Sequence, residues 1–311
     1  MKVVFLGTPE LAVPSLTAIS KHHDVTLAVT QPDRPRGRGR KVGISAVKKK
    51  ALELGLDCWQ PVNLSGAEPL ERLRSTGADI LAVVAYGLKI PDPILEMAPH
   101  GAVNLHFSLL PAYRGAGPLN WAIIRGEEAT GVTTFRITSR MDAGPVYLRE
   151  RAVITPGETA GELGARLADV GAEIFARTLD GIEHGSLQAE PQDESLATAA
   201  PKLKKSDGRI DWSRPAKEII NLIHGVNPWP GAYTTVGGEI LKIWRADFAG
   251  AATRDDITPG TVVVASPRLG LVVAGGDGLV LLPEVQAQGK RRMRGRDYLA
   301  GHGLEEGSLL V

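Results

Sequence analysis

Cysteine is almost missing from this chain: Cys58 is the only one in 311 residues. A single thiol excludes an internal disulfide and a cysteine metal cluster, so a cytoplasmic protein is the default expectation. Long apolar runs are missing too. None approaches the roughly eighteen residues that a membrane helix needs, so no membrane partner is expected. The start, MKVVFLGTPELAVP, carries one Lys and a short apolar run broken by Gly, Thr and Pro. That is too short for a signal peptide and reads as a first strand entering a helix, with Thr8 as its cap and Pro9 in its first turn. Two catalytic patterns do not occur. Without G-x-S-x-G, no Ser or Cys sits on a nucleophile elbow, so the nucleophile is expected to belong to the substrate. The segment FLGTPEL lacks the three-glycine dinucleotide fingerprint, which disfavours a nicotinamide cofactor.

Net charge is nearly absent as well, at +1, yet its distribution is uneven. Eight basic residues and no acidic one lie between Arg34 and Lys50: Arg34, Arg36, Arg38, Arg40, Lys41, Lys48, Lys49 and Lys50. KLKKSDGR, which holds Lys204 and Lys205, is a second cluster, and GKRRMRGR, with Arg291, a third. One basic run is usually a solvated face. Three in a chain of near-zero net charge point to a polyanion partner. Pro32, Pro35 and the alternating Gly and Arg make PDRPRGRGRK a poor helix and a poor strand, so a mobile loop is expected there.

What is present is ordinary globular composition, 43% hydrophobic and 23% charged. The first part alternates strand-like KVVFLG, VTLAVT, ILAVVAY, AVNLHF and VTTFRI with helix-like segments, the last being the long amphipathic stretch from Ala160. That rhythm predicts an α/β domain with a doubly wound, mostly parallel, Rossmann-like sheet over residues 1–189. Residues 190–207 are polar, hold Pro191 and Pro201, and read as a linker. Residues 208–311 offer one helix and then short strands between Gly-rich turns, which predicts a small antiparallel, OB-like barrel.

Chemistry concentrates in GAVNLHFSLLPAYRGAGPLNWAI, residues 101–123. Period two puts Asn104 and His106 on one strand face and Val103 and Leu105 on the other. In open parallel sheets, ligands bind beyond the carboxyl ends of the strands. Asp142 follows the end of the next strand, before a turn at Gly144 and Pro145. His transfers protons near neutral pH, Asp orients or charges it, and an Asn amide donates to an oxyanion. Beside such an aspartate the imidazolium would be favoured and the histidine pKa raised. One His and one Asp leave zinc short of ligands, so no metal is expected.

NLHFSLLPAYRGAGPLNWAI with MDAGPV resembles the formyltransferases that take a formyl group from 10-formyltetrahydrofolate. FLGTPELAVPSL, VTQPDRPRGRGRK, VVAYGLKIP, RIDWSRPAKEI and NPWPGA extend the resemblance over nearly the whole chain. QPDRPRGRGRK and NPWPGA point away from the shorter glycinamide ribonucleotide transformylases and toward members acting on methionyl initiator tRNA. The resemblance implies Asn104, His106 and Asp142 as the catalytic trio. It implies a folate site at Ser108, Leu109, Leu110 and Pro111, with Tyr86, Gly87, Arg140 and Met141; Arg140 stands where the family more often has a small or uncharged residue. It implies tRNA contacts from Arg34, Arg36, Arg38, Arg40, Lys41, Lys204, Lys205 and Arg291, and a monomer. Sugar-nucleotide formyltransferases and formyltetrahydrofolate hydrolases share the trio and stay open as alternatives. So does a non-enzymatic RNA-binding protein on the same fold.

Overall fold

A run of apolar residues with no polar alternation needs cover on both faces, and β1 (Lys2–Gly7) has it. Val3, Val4, Phe5 and Leu6 are all fully buried. The computed structural model describes residues 1–36, 41–251 and 257–311. In it β1 pairs in parallel with β2 (Asp24–Val29) on one side; between β2 and the next sheet strand, β3 (Arg34–Arg36) and β4 (Lys41–Gly43) form a separate antiparallel ribbon. The main sheet then takes β5 (Cys58–Trp59), β6 (Ile80–Val84), β7 (Ala102–His106), β8 (Ala129–Arg136) and β9 (Val146–Val153), in the order β5-β2-β1-β6-β7-β8-β9. The pairs from β5 to β7 are parallel, and β7 with β8 is antiparallel, so the sheet is mixed at one end.

The helices are α1 (Val13–His22), α2 (Ala46–Glu53), α3 (Ala67–Arg74), α4 (Asp92–Leu95), α5 (Pro118–Ile124), α6 (Ala160–Glu183), α7 (Ala216–Gly225) and α8 (Gly295–His302). Thr8 does not cap the first of them. Its hydroxyl donates to the Tyr86 carbonyl at 3.0 Å, and α1 starts at Val13 after a 3-10 turn over Glu10–Ala12. The basic stretch also departs from expectation. Its shoulders pair as β3 and β4, and α2 opens on Ser45, whose hydroxyl accepts from the Lys48 N–H at 3.0 Å. Cross-strand pairing and a cap outweigh poor local propensity there. Residues 37–40 lie outside the described residues.

The chain divides into two compact units: residues 1–115, 130–152 and 164–200, and residues 116–129, 153–163 and 201–311. The polar stretch is anchored in the first unit from Glu190 to Ala200. Glu190 pairs with Val146, and Arg114 with Ala199. In the second unit β10 (Ala232–Val236), β11 (Glu239–Ala251), β12 (Val262–Ser266), β13 (Gly270–Ala274), β14 (Gly278–Ala287) and β15 (Met293–Arg294) make an antiparallel sheet, ordered β10-β11-β14-β13-β12 with β15 on β14. Backbone bonds from Val262 to Ser308 and from Thr235 to Val311 join its two edge strands through the last residues. That closure removes the open edges of the barrel. Its core holds Trp212, Ile219, Ile223, Leu241, Ile243 and Val280.

Candidate active site

The site is built on the carboxyl end of β7. Leu105 faces away from it, packed against α6 so closely that a Cβ on Gly171 would lie 2.6 Å from Leu105 Cδ2. Asn104 and His106 therefore share the other face, opposite Phe135 and Thr133 of β8. His106 is 6% exposed and meets the Phe135 ring edge-on at 6.3 Å.

Its two ring nitrogens have different duties. Nε2 lies 2.9 Å from the Tyr113 carbonyl, which only accepts, so Nε2 carries the proton and Nδ1 presents a lone pair. Nδ1 is 3.9 Å from Asp142 Oδ2. The same Oδ2 accepts a hydrogen bond from the Gly115 N–H at 2.8 Å. Burial lowers the His106 pKa, against the opposing pulls of Asp142 and of the Tyr113 carbonyl. The expectation of a raised pKa is corrected here: the desolvation of a nearly enclosed imidazole outweighs one carboxylate at that distance. Burial thus favours the neutral imidazole, while Asp142 favours the charged one.

Asp142 itself sits at φ 49°, a left-handed conformation uncommon for a side-chain-bearing residue. Two features constrain the turn that follows it. A Cβ on Gly144 would fall 1.8 Å from the Arg136 carbonyl, and the Gln192 amide donates to the carbonyls of Asp142 and Gly144, at 2.9 and 2.7 Å.

The corner after β7 is closed by hydroxyls. Ser108 Oγ donates to the Ala112 carbonyl at 2.6 Å, and Thr133 Oγ1 links the Leu110 N–H to the Ser108 carbonyl at 3.1 and 2.6 Å. Arg149 Nε donates to the Leu110 carbonyl at 2.7 Å.

A formyl transferase family model matches residues 1–179, and a formyl transferase C-terminal domain model matches residues 202–303. The methionyl-tRNA formyltransferase of Solibacter usitatus is 47% identical over 311 residues, covering 100% of this chain and 98% of its own length. The chain belongs to the methionyl-tRNA formyltransferase family. Its fold is shared by WlaRD, a sugar 3N-formyl transferase solved with dTDP and 5-N-formyl-THF, at TM-score 0.67 and 18% identity over 94% of this chain and 99% of that one. HypX of Aquifex aeolicus, solved with tetrahydrofolic acid, superposes at TM-score 0.66 and 17% identity over all of this chain, which spans about half of HypX (50%).

For a methionyl-tRNA formyltransferase, the structure sorts the sequence-named residues unevenly. His106 and Asp142 are brought together, with Asn104 on the same strand face. Ser108 and Leu110 are buried as parts of the corner, while Leu109 and Pro111 are half-buried. Gly87 and Ala85 expose left-handed backbone at the end of β6, beside β7, but the Tyr86 ring is 2% exposed, and burial pushes its phenol up to about 12. The Tyr86 ring belongs to a core cluster with Leu81, Val83 and Ile94. The Tyr86 carbonyl accepts from Gln31 Nε2 at 2.8 Å and holds the loop. Met141 is 77% exposed. Arg140 reaches outward to Glu194 at 3.0 Å.

Of the basic residues, Arg34 and Arg36 fall on β3 and Lys41 on β4, while Arg38 and Arg40 lie outside the described residues. Lys204, Lys205 and Arg291 are exposed. Lys48 and Lys50 are paired with Asp33 and Glu53, so the run is less unbalanced than its composition.

Sequence reasoning missed Tyr113, Gly115, Arg114 and Gln192. The first two act through backbone groups, which leave no side-chain signature, and Gln192 sits in a stretch that composition marks only as polar.

Proposed function

We propose that the chain transfers the formyl group of 10-formyltetrahydrofolate to the α-amino group of methionyl initiator tRNA, giving N-formylmethionyl-tRNA for translation initiation. The observation that carries this reading is the His106–Asp142 pair at a strand end in a chain similar over its full length to methionyl-tRNA formyltransferases. Asn104, His106 and Asp142 are its reacting groups. The tRNA and the folate donor are its partners, and the protein works as a cytoplasmic monomer.

An α-amino group has a pKa near 8, and the neighbouring ester lowers it, so the attacking amine is largely neutral. It needs placement more than a strong base. As the new C–N bond forms, the Asn104 amide donates to the developing oxyanion. His106 Nδ1 takes the proton that the amine sheds, and the Asp142 carboxylate stabilises the resulting imidazolium. His106 then returns that proton to the departing donor nitrogen as the old C–N bond breaks. No net proton is gained by the enzyme.

Backbone around Ala85 and Gly87 and the Ser108–Pro111 corner border the donor's place, and the exposed left-handed backbone there suits a flat ring rich in hydrogen-bonding groups. The basic ribbon and the exposed basic residues of the second unit, Lys204, Lys205 and Arg291, suit a polyanion.

The deciding experiment is a formyl-transfer assay with charged initiator and elongator tRNAs side by side across a salt series. Initiator tRNA is expected to be the better acceptor. Arg38→Ala with Arg40→Ala should weaken tRNA binding and reduce its salt slope by about one unit per arginine, leaving folate binding unchanged. Unaltered tRNA kinetics at every salt concentration would return the basic run to a solvated face and move the search to small-amine acceptors.

A further inference from the structure

Two loops hold the reacting pair, and neither is held by the sheet alone. Tyr113 to Gly115 supplies the carbonyl that fixes His106 Nε2 and the N–H that fixes Asp142 Oδ2. The turn from Arg140 to Gly144 carries Asp142 in its left-handed conformation. Two side chains bridge them: Glu194 joins Arg114 to Arg140 at the exposed rim, and Gln192, 9% exposed, reaches the backbone of the Asp142 turn itself. Its amide nitrogen donates to the carbonyls of Asp142 and Gly144, and its Oε1 accepts from Arg114 Nε and Nη2 at 3.2 and 2.8 Å. All of its hydrogen-bonding capacity is thus directed at the two loops that carry the pair.

The rest of the segment reinforces that arrangement. Thr198 Oγ1 accepts from the Tyr113 N–H and the Thr198 carbonyl from the Arg114 N–H, both at 2.8 Å. Glu194 receives two hydrogen bonds from Arg114, each 3.0 Å, and its pKa is held at about 2. Arg114 is therefore pinned as a platform for Gln192 rather than left to solvent.

We propose that Gln192 is a positioning residue for formyl transfer: by bridging Arg114 to the Asp142 turn it sets the carboxylate at its distance from His106. The proposal rests on the reading of His106 and Asp142 as the reacting pair. The polar segment after Pro191 is then part of the catalytic apparatus of the first unit. Gln192 touches no reacting atom. A side chain of the same size that cannot donate would leave the Asp142 and Gly144 carbonyls without partners and free the turn to shift, and displacements on the order of 1 Å lower turnover by roughly a hundredfold.

Gln192→Glu is the sharpest probe, because it keeps the size and the acceptor toward Arg114 while losing both donated bonds. With the full chain, charged tRNA and formyl donor, Gln192→Glu should lower kcat by roughly ten- to a hundredfold, with both KM values within about twofold. The pH–rate profile should move as well. The uncharged Gln192→Ala variant gives the sign: a carboxylate displaced from His106 raises the histidine pKa less, so its acidic limb shifts to lower pH, the direction in which Asp142→Asn shifts it, whereas the new carboxylate of Gln192→Glu pulls the other way. A purely structural role would not move that limb.

Combining Gln192→Glu with Asp142→Asn should reduce kcat no further than Asp142→Asn alone, since the second change removes what the first positions. Gln192→Ala, compared at equal folded fraction by its melting curve, guards against an effect of the added charge. Wild-type kcat and pH profile in Gln192→Glu overturn the proposal, as do multiplicative losses in the double variant. Wild-type activity in Asp142→Asn alone overturns instead the reading of the pair on which the proposal stands.

Discussion

His106 commits one ring nitrogen to a backbone carbonyl and turns the other toward Asp142, and its burial lowers its pKa. Under the proposed mechanism, His106→Ala loses the proton carrier and Asn104→Ala loses the oxyanion donor. Each should lower kcat by roughly a hundredfold or more with little change in tRNA affinity; steady-state kinetics beside a tRNA-binding assay checks both. The acidic limb of the rate profile reports the neutral imidazole. Because burial lowers the His106 pKa, activity should persist below the ordinary histidine value of 6.5 and fail only at lower pH. Asp142→Asn removes the charge that opposes this lowering, so kcat should drop and the limb should move further toward acid. A limb that stays put in that variant sinks the proposed proton carriage.

At the scale of the element, the corner after β7 depends on a hydroxyl that no catalytic motif contains. Thr133 Oγ1 accepts from the Leu110 N–H and donates to the Ser108 carbonyl, and Thr133 is fully buried. Thr133→Val keeps the shape and leaves both backbone groups unpaired, at a loss of roughly 1–3 kcal/mol for a buried unsatisfied donor. Thermal and denaturant unfolding should show it, and wild-type stability would mean the corner is held elsewhere. The helix covering the opposite face is as constrained. Gly171→Ala would normally favour a helix by about 1 kcal/mol, but here the added methyl meets Leu105 at 2.6 Å. Overpacking of about 1–3 kcal/mol should win, so the variant should melt lower than wild type.

Over the whole molecule, three buried histidines set the response of stability to acid. His23 and His106 in the first unit and His224 in the second all have pKa values lowered, with burial the leading cause in each. In each, folding favours the neutral form. Below the ordinary value of 6.5 the unfolded chain binds protons that the folded chain refuses, so stability falls as pH drops through that value. Glu162 and Glu194 act in a second window. The Thr159 backbone N–H leads in holding Glu162 at about 2, and hydrogen bonds from Arg114 lead for Glu194. Their stabilisation is present above the usual 4.5 and is lost as pH falls toward 2. Melting temperature should therefore decline in two stages, first between about pH 7 and 6 and again below about pH 4.5. A melting temperature that is constant from pH 7.5 to 5.5 would show that the histidines are not buried neutral.

Local pattern by itself determined much of this protein. Strand period two put Asn104 and His106 on one face, apolar runs placed β1, β2, β6 and β7, and short strands between Gly-rich turns announced the barrel. These are properties of neighbours in the chain, and the side chains alone encode them. What only the tertiary structure decided are properties of distant partners. Thr8 bonds to Tyr86 instead of capping a helix, and β3 and β4 pair where local propensity favoured a loop. The Tyr86 ring packs into the core of the first unit. The net direction of the His106 pKa shift was not legible in sequence because desolvation depends on everything packed around the ring, whereas the upward pull of Asp142 is visible from a single pair. Gln192 was overlooked for the same reason: its partners lie 50 and 78 residues away along the chain. Its role resides in carbonyl groups that every residue possesses, and only folding aims them.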